Sequence, residues 1–368
     1  MSTEMTKEEL DSKFNQEYEK AKAQYCKKPN ILVCGYTGSG KTSLTKTILG
    51  DVVPAEAVGE GRPKTMDYCH YENDVVSIWD SQGLELGETE AAFMEKTREF
   101  IRSRVTDMDV DKHIHLVWYT IQGPGARVTD CDLALIKEIF PTKDLIVVIT
   151  KSDITRPSQK EALKRVLMQN GVSEHRILFS SDEEGESIGC KELVDLSLEM
   201  LPEAYRDAFA FAQNINRERK KQAVLEKAGK AKAIIVAATT AAGAAGAVPI
   251  PLSDAAVITP IQVTMIASLA ALYGLNGKEI TVAAMPFIAR AVGTMTASSL
   301  LKLIPGLGSV VNASVAILLT GAMGWFVQTQ FEKLAIAKAL GEPPPDVKFN
   351  FDLFRSFLDN YKAKNDRG

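Results

Sequence analysis

The chain has 368 residues, enough for two domains that each bury a hydrophobic core. Its formal net charge of -4 and its pI near 5.8 argue against a surface built as a whole to bind nucleic acid. The five cysteines include no C-x-x-C pair, so they fit a reduced, cytoplasmic protein without a thiolate metal site.

The first predicted element is an amphipathic helix within residues 1–27. This segment is polar and charged, unlike a secretory signal peptide. Apolar side chains recur along it at steps of three and four: Leu10, Phe14, Tyr18, Ala21 and Tyr25. Because an isolated helix of this length is marginal in water, we expect the stripe to dock on the C-terminal half of the chain. A coiled-coil contact with another chain is the alternative.

A glycine-rich stretch with the spacing G-x-x-x-x-G-K-[ST] follows the first predicted strand. The glycines let consecutive N–H groups turn toward an anion, and the following helix adds the positive end of its dipole. The pattern predicts a phosphate loop in which Lys41 reaches the β- and γ-phosphates and Thr42 binds Mg²⁺. The predicted nucleotide-binding residues here are Gly35, Thr37, Gly38, Ser39, Gly40, Lys41, Thr42 and Ser43.

Strand-like and helix-like runs alternate over residues 28–202, as a doubly wound α/β domain requires. The predicted strands are Ile31–Cys34, Tyr68–Tyr71, Val75–Trp79, Ile114–Ile121, Leu145–Thr150 and Arg176–Ser180. The predicted helices are Lys41–Leu49, Glu88–Val105, Asp130–Ile139, Ser158–Asn170 and Cys190–Leu201. In such folds ligands bind at the carboxyl ends of the strands, so the loops after the strands are the place to look for a site.

Three of those loops carry polar side chains. Residues 80–83, Asp-Ser-Gln-Gly, offer the Asp80 carboxylate to Mg²⁺ and the Gly83 N–H to a γ-phosphate. Residues 150–153, Thr-Lys-Ser-Asp, offer a carboxylate to both N–H donors of a guanine edge and a lysine stem to cover the base, and residues 180–182 can close over it. The predicted nucleotide-binding residues in these loops are Thr150, Lys151, Asp153, Ser180 and Ser181. Each loop alone is a weak signal, but in this order behind a complete phosphate loop they are strong together.

With these motifs, residues 30–201 resemble the Ras-like P-loop GTPases, and within them the branch related to Era and TrmE. The resemblance implies GTP or GDP with Mg²⁺ as ligands, and a switch II after Gly83. It also implies a switch I threonine, Thr65, that would close on Mg²⁺ alongside Thr42 and Asp80. One departure is Thr150, which stands where the family more often has asparagine.

The resemblance leaves open which residue orients the attacking water. Leu84 stands where Ras-type enzymes carry a water-orienting glutamine, so we expect slow or differently organised hydrolysis. Arg62 resembles the switch I arginine of heterotrimeric G-protein α subunits, which acts on the transition-state charge. The alternative is a solvated loop arginine. Arg127, acting across a homodimer, and Gln82 are further candidates. The predicted catalytic residues are Lys41, Arg62, Thr65 and Gly83.

The composition changes beyond Pro202, and an all-α helical domain is predicted over residues 203–340. It begins with a long helix, Glu203 to Lys232, that is basic over its second half. No charged side chain occurs in residues 233–253, 255–277 or 303–331, and each run is long enough to cross a bilayer. These runs are nevertheless rich in alanine, glycine and proline, so their mean hydropathy is modest for a spanning helix.

Two interpretations of these runs compete. In the first they form a tightly packed soluble bundle, where Ala233, Ala237, Ala241 and Ala245 let helix backbones approach closely. In the second the bundle touches or partly enters an anionic membrane, which the preceding basic helix meets first. We favour the second, and we consider constitutive spanning less well supported.

Residues 228–340 resemble the uncharacterised Ala/Gly-rich helical domain appended to a group of Era-like GTPases. The residues that carry this resemblance are Gly246–Asp254, Ile261–Ile266 and Leu272–Gly274. It implies a GTPase-plus-bundle architecture that the N-terminal helix joins, similar in outline to immunity-related and dynamin-like GTPases. Asp254 fits a helix N-cap better than a buried functional carboxylate.

Residues 341–368 combine a proline-rich linker with an aromatic segment. Its apolar stripe comprises Phe349, Phe351, Phe354, Phe357, Leu358 and Tyr361. We expect this stripe to dock back on the protein as core. A partner-binding tail is the alternative.

The motifs, the resemblance and the composition together predict a GTP-binding, slowly GTP-hydrolysing switch that controls a helical domain. They predict a cytoplasmic protein located at, or partly in, a membrane. A nucleotide-gated scaffold without turnover is one alternative. An RNA- or ribosome-associated GTPase that uses the basic run Arg217–Lys232 is another. The absence of a recognisable RNA-binding module and the negative net charge make a nucleic-acid partner the less favoured choice.

Overall fold

The structure, a computed structural model, describes residues 5–54, 68–81, 83, 89–140, 145–183, 186–246, 254–277, 280, 284, 287, 313–347 and 349–365. The chain divides into two compact units. One unit is Lys27–Lys220, and the other combines Met1–Cys26 with Lys221–Gly368. The division therefore falls later in the chain than the boundary after Pro202 that the composition suggested.

The described strands are β1 (Asn30–Gly35), β2 (Tyr68–Glu72), β3 (Ser77–Ser81), β4 (Leu116–Gln122), β5 (Leu145–Thr150), β6 (Ile177–Phe179), β7 (Ser181–Glu183) and β8 (Glu186–Ile188). The described helices are α1 (Lys7–Tyr25), α2 (Lys41–Leu49), α3 (Glu90–Val105), α4 (Asp130–Ala134), α5 (Pro157–Gln169), α6 (Cys190–Met200), α7 (Glu203–Ala212), α8 (Arg217–Glu226), α9 (Ala228–Gly246), α10 (Asp254–Leu272), α11 (Ala313–Leu340) and α12 (Phe351–Asn365). A π-helical turn, Leu135–Ile139, extends α4.

A six-stranded sheet with the order β2-β3-β1-β4-β5-β6 forms the centre of the first unit. Strand β2 pairs with β3 antiparallel, and the remaining pairs are parallel. Strands β1 and β5 are buried along their whole length, as expected for parallel strands covered by helices on both faces. The predicted doubly wound α/β domain with a helical C-terminal region is confirmed, and α2 and β5 have the predicted bounds.

The predicted single helix from Glu203 to Lys232 is wrong, because this stretch forms α7, α8 and the start of α9. The buried Gln213 side chain organises the first break by accepting hydrogen bonds from the N–H groups of Ile215 (2.8 Å) and Asn216 (2.7 Å). The Asn214 N–H donates to the Ile48 carbonyl near the end of α2, at 2.7 Å, instead of continuing a helix. Tertiary hydrogen bonds therefore override the local helix propensity here.

In the second unit, α1 packs against α10. A capping box of Thr6 and Glu9 begins α1, and the stripe of Leu10, Phe14, Tyr18 and Ala21 is buried. The Tyr18 hydroxyl donates to the Leu275 carbonyl at 2.6 Å, just beyond the end of α10. The apolar stripe of α1 thus becomes core of the helical unit.

Helices α9 and α11 approach closely at glycine positions. A Cβ placed on Gly243 would lie 2.7 Å from the Ile317 side chain, and one on Gly324 would lie 2.9 Å from Ile235. The expectation that Ala233, Ala237, Ala241 and Ala245 form the packing face is wrong: the first three are exposed and the last is half-buried. The buried side of α9 comprises Ala231, Ile235, Ala242 and Gly243.

The aromatic C-terminal segment forms α12, which packs on α11. Phe354 and Leu358 are each 2% exposed, and the Phe354 ring lies edge-on to Phe326 of α11 at 5.6 Å. Asp254 opens α10 as its first residue. No helix in the part of the chain that the structure describes is long and apolar enough to span a bilayer.

Candidate functional site

The glycine-rich loop lies between β1 and α2 in a close approach to the neighbouring strand β4. A Cβ on Gly35, at the end of β1, would lie 2.3 Å from the Thr120 carbonyl, so this position requires glycine. The Ser39 hydroxyl pairs with the Thr120 hydroxyl at 2.6 Å, and the Ser39 N–H donates to the Tyr36 carbonyl at 3.1 Å. The loop conformation is therefore held by its own backbone and by β4.

Lys41, the first residue of α2, curls back over the loop. Its Nζ donates to the carbonyls of Gly35 (3.0 Å) and Tyr36 (2.9 Å), and the residue is only 5% exposed. A Cβ on Gly83 would lie 2.7 Å from this Nζ and 2.6 Å from the Thr37 nitrogen. The ammonium, a loop N–H and the backbone of Gly83 thus converge, which is the arrangement that a phosphate group needs.

Thr42 and Asp80 come together beside the loop. The Thr42 hydroxyl donates to Asp80 Oδ2 at 2.7 Å, and Asp80 is fully buried at the end of β3. A hydroxyl and a carboxylate are the hard oxygen ligands that Mg²⁺ prefers. Among the residues that the structure describes, no group of three or more His, Cys, Asp or Glu could hold a metal, so an ion at Thr42 and Asp80 would need phosphate oxygens or water for its other ligands.

The loops after β5 and β6 are joined to each other and to the phosphate loop. The Lys151 Nζ donates to the Gly38 carbonyl at 3.0 Å, so the lysine stem lies across the phosphate loop. The Ser152 N–H donates to the Ser180 carbonyl at 3.0 Å, which ties the two base-side loops together. The Asp153 carboxylate is exposed, as a group that accepts from a ligand must be.

Two serines follow β6 as predicted, and each is 3% exposed. The Ser180 hydroxyl lies 3.7 Å from the Cys190 sulfur, so it points into the protein. The buried Ser181 hydroxyl has no hydrogen-bond partner among the described residues. A buried hydroxyl without a protein partner is costly unless a ligand or water meets it.

The hydroxyl of Thr150, one of the predicted nucleotide-binding residues, is directed at the glycine-rich loop. Its Oγ1 donates to the Ser39 carbonyl at 2.7 Å, and the residue is 5% exposed. A hydroxyl on β5 therefore ties the end of that strand to the phosphate loop.

The remaining predicted residues fall into two groups. Arg62, Thr65, Gln82 and Leu84 lie outside the described residues. Arg127 is exposed in the turn after β4, and Ser43 is half-buried on α2.

Burial raises the pKa of the Cys34 thiol to about 11, so this cysteine is protonated and inert at neutral pH.

The sequence patterns missed Thr120 and Tyr36. Thr120 is a short polar residue in the buried part of β4, and its place near the carboxyl end of that strand was the available signal. Tyr36 occupies a variable position of the loop spacing, where nothing in the sequence indicates a role. Its hydroxyl bonds the side chains of Glu90, Thr129 and Cys131.

The sheet order, together with the glycine-rich loop between β1 and α2, defines the first unit as a P-loop GTPase-like α/β domain. No family model matches the chain, and no curated protein does. Among solved structures, two crystal structures of Toc33 from Arabidopsis thaliana show a likeness: a dimerization-deficient mutant and a complex with Mg²⁺ and GMPPNP. Their TM-scores are 0.32 and 0.31 and their identities 14% and 15%, and each match covers 48% of this chain and 80% of theirs. The functional assignment therefore rests on the chain's own residues.

Proposed function

We propose that the protein is a GTP-binding switch that hydrolyses GTP slowly. The convergence of the Lys41 ammonium, the Thr37 N–H and Gly83 beside the Thr42–Asp80 pair is the observation that carries this proposal. Lys41 and the loop N–H groups would hold the β- and γ-phosphates. Catalysis of this kind is chiefly positioning and charge stabilisation.

Mg²⁺ would be held by Thr42 and Asp80, with Thr65 joining when a γ-phosphate is present. When bound there, the ion would supply positive charge that offsets the negative charge developing on the phosphate oxygens. The water would attack in line with the γ-phosphate. The candidates for assisting this water are Arg62, Gln82 and the Arg127 of a second copy of the chain. The last candidate requires a homodimer, which we propose separately.

A binding experiment on the full chain tests the first step. Wild-type protein should bind GDP and a non-hydrolysable GTP analogue in a Mg²⁺-dependent way, measured by calorimetry. Lys41→Ala should abolish binding, whereas Lys46→Ala, a lysine further along α2, should leave it unchanged. Equal loss in both variants would count against a specific phosphate site.

The choice of guanine rests on Asp153, which is exposed beside the Lys151 stem that crosses the phosphate loop. A carboxylate accepts both N–H donors of guanine, whereas an asparagine amide can donate to the O2 of xanthine. Asp153→Asn should therefore lose affinity for GTP and gain it for xanthosine triphosphate. If ATP competes as well as GTP in the wild type, the guanine assignment fails.

Turnover separates an enzyme from a nucleotide-gated scaffold. Multiple-turnover phosphate release by the purified protein would support the enzyme, and Arg62→Ala should then lower turnover and spare binding. If only stoichiometric binding is found, the scaffold is the better description.

The helical unit is the proposed output of the switch, with an anionic membrane surface as its partner. The outer face of α9 supports this: Ala233, Ala237 and Ala241 are exposed, Val236 is 52% exposed, and Lys230 and Lys232 lie at its N-terminal end. Flotation with anionic liposomes should depend on whether GDP or a GTP analogue is bound. A salt-sensitive shift with RNA and none with liposomes would favour the RNA-associated alternative.

A further inference from the structure

The helical unit contains a cleft between α11 and α12. Its volume is about 460 Å³, within the roughly 300–1,000 Å³ of small-molecule sites. On each helix the lining side chains recur at steps of three and four residues, so each helix presents one face to the cleft. The α11 wall comprises Phe326, Thr329, Gln330 and Lys333, and the α12 wall comprises Leu353, Ser356, Phe357 and Asn360.

The floor of the cleft is aromatic and well packed. Phe326 is 4% exposed, and its ring lies edge-on to that of Phe357 at 5.7 Å. The same ring lies edge-on to Phe354 at 5.6 Å, in the core between the two helices. Leu353, in contrast, is 49% exposed on the α12 wall. The cleft therefore combines a rigid apolar floor with an apolar edge that is half open to solvent.

Two polar side chains of the cleft differ from the others in their hydrogen bonding. The Thr329 and Ser356 hydroxyls and the Asn360 amide each donate to the backbone carbonyl four residues back in their own helix, at 2.9, 3.2 and 3.0 Å. Gln330 and Lys333 have no side-chain partner among the described residues. They lie three residues apart on the same wall, so their N–H donors are neighbours. An amide and a cation are thus available to a ligand from α11.

The charge in the cleft favours a ligand that carries one negative charge. Lys333 is exposed, and it is the cation among the lining residues. Asp346, which lines the same cleft, already interacts with another group. One ammonium beside one neutral amide matches the single charge and the two acceptor oxygens of a carboxylate. A phosphate dianion would meet only one cation here and would also lie near the Asp346 carboxylate.

We propose that the cleft between α11 and α12 binds a medium-chain fatty acid. The carboxylate accepts hydrogen bonds from Lys333 and Gln330. The acyl chain lies on the Phe326 and Phe357 rings and covers Leu353. The lining residues of each wall span about 10 Å of helix, which limits the length of chain that the cleft can cover. The site lies within the helical unit and needs no nucleotide, so the inference goes beyond the proposed GTP-binding switch and does not depend on it.

Calorimetric titration of the full chain with octanoate, below the concentration at which it forms micelles, tests this inference. Wild-type protein should bind one octanoate per chain. Lys333→Met keeps the aliphatic stem and removes the charge, so it should weaken binding about 5- to 10-fold. Leu353→Ser should weaken binding about 5-fold, because the acyl chain covers the exposed half of this side chain. 1-Octanol has the same tail without the charge, so it should bind wild type and Lys333→Met equally.

Lys232→Met is the matched control, since it removes an exposed lysine from α9 of the same unit without altering a lining residue. Its octanoate affinity should equal that of the wild type. Lys333 and Leu353 are themselves exposed, so their variants should keep the fold. The inference would be wrong if wild type showed no saturable octanoate binding, or if Lys333→Met and Lys232→Met had the same affinity. Tighter binding of octyl phosphate than of octanoate would overturn the assignment to a carboxylate.

Discussion

Thr150→Val distinguishes a residue that anchors the phosphate loop from one that reads a base. Valine keeps the shape of threonine but removes the hydroxyl that donates to the Ser39 carbonyl at 2.7 Å. A buried neutral hydrogen bond contributes about 0.5–1.5 kcal/mol, and an acceptor left unsatisfied costs about 1–3 kcal/mol. We therefore expect a loss of roughly 1–2 kcal/mol in nucleotide binding, or about 5- to 30-fold in affinity.

The loss should be the same for every nucleotide, because all of them share the phosphates. Calorimetric titration with GTP, GDP and inosine triphosphate, which lacks the 2-amino group, provides the assay. Thr45→Val is the control: its hydroxyl bonds the Lys41 carbonyl one helical turn back, at 2.8 Å, and is equally buried. A loss that is larger for GTP than for inosine triphosphate would refute the anchoring role.

Three further predictions concern the site, the pH response and the helical unit. Gly83→Ala should weaken binding of a GTP analogue more than that of GDP, because the new Cβ would lie 2.6 Å from the Thr37 nitrogen. An equal loss of affinity for the two nucleotides would contradict this. Burial lowers the pKa of His115, and its Nδ1 accepts the Asn30 N–H at 2.9 Å. The free energy of unfolding of the first unit should therefore fall by up to about 1.4 kcal/mol per pH unit as the pH drops below about 6.5. Thermal melts of wild type and His115→Gln at pH 7.5 and 5.5 measure this effect. An equal decrease in melting temperature in both proteins would show that His115 is not its cause. Phe14→Ala should cost the helical unit about 3–5 kcal/mol in chemical denaturation and leave nucleotide affinity unchanged, since the ring is fully buried in that unit.

The sign of the histidine effect follows from which state binds the proton more tightly. Burial lowers the folded-state pKa of His115, so the unfolded chain takes up a proton first as the pH falls. Protonation of Nδ1 would also remove the acceptor for Asn30. The stabilising contribution is therefore complete above the unfolded pKa and decreases below it.

Much of the first unit could be predicted because local and global signals agree there. The run Leu145–Thr150 is apolar without interruption and is buried along its length, so its bounds as β5 follow directly from the sequence. The loop spacing likewise places the start of α2 at Lys41. Neither needed information from distant parts of the chain.

The failures arise where a distant contact decides the outcome. Nothing local indicates that the Asn214 N–H will pair with the Ile48 carbonyl and end a helical run at that point. The four-residue alanine period on α9 identifies a face of the helix, but not whether that face is inside. Close approaches at Gly243 and Gly324 place the opposite face of α9 in the core. The alanine spacing does not indicate these contacts.

The site residues show the same division between what motifs predict and what contacts decide. Motifs predicted that the Lys151 and Ser180 loops would meet at the base side of the site. The described hydrogen bonds there join one loop to another: Lys151 donates to the Gly38 carbonyl, and the Ser152 N–H donates to the Ser180 carbonyl. A binding site whose loops are already hydrogen-bonded to one another needs little further ordering when a ligand arrives. The Thr150 hydroxyl contributes to this preorganisation, because it ties the end of β5 to the glycine-rich loop.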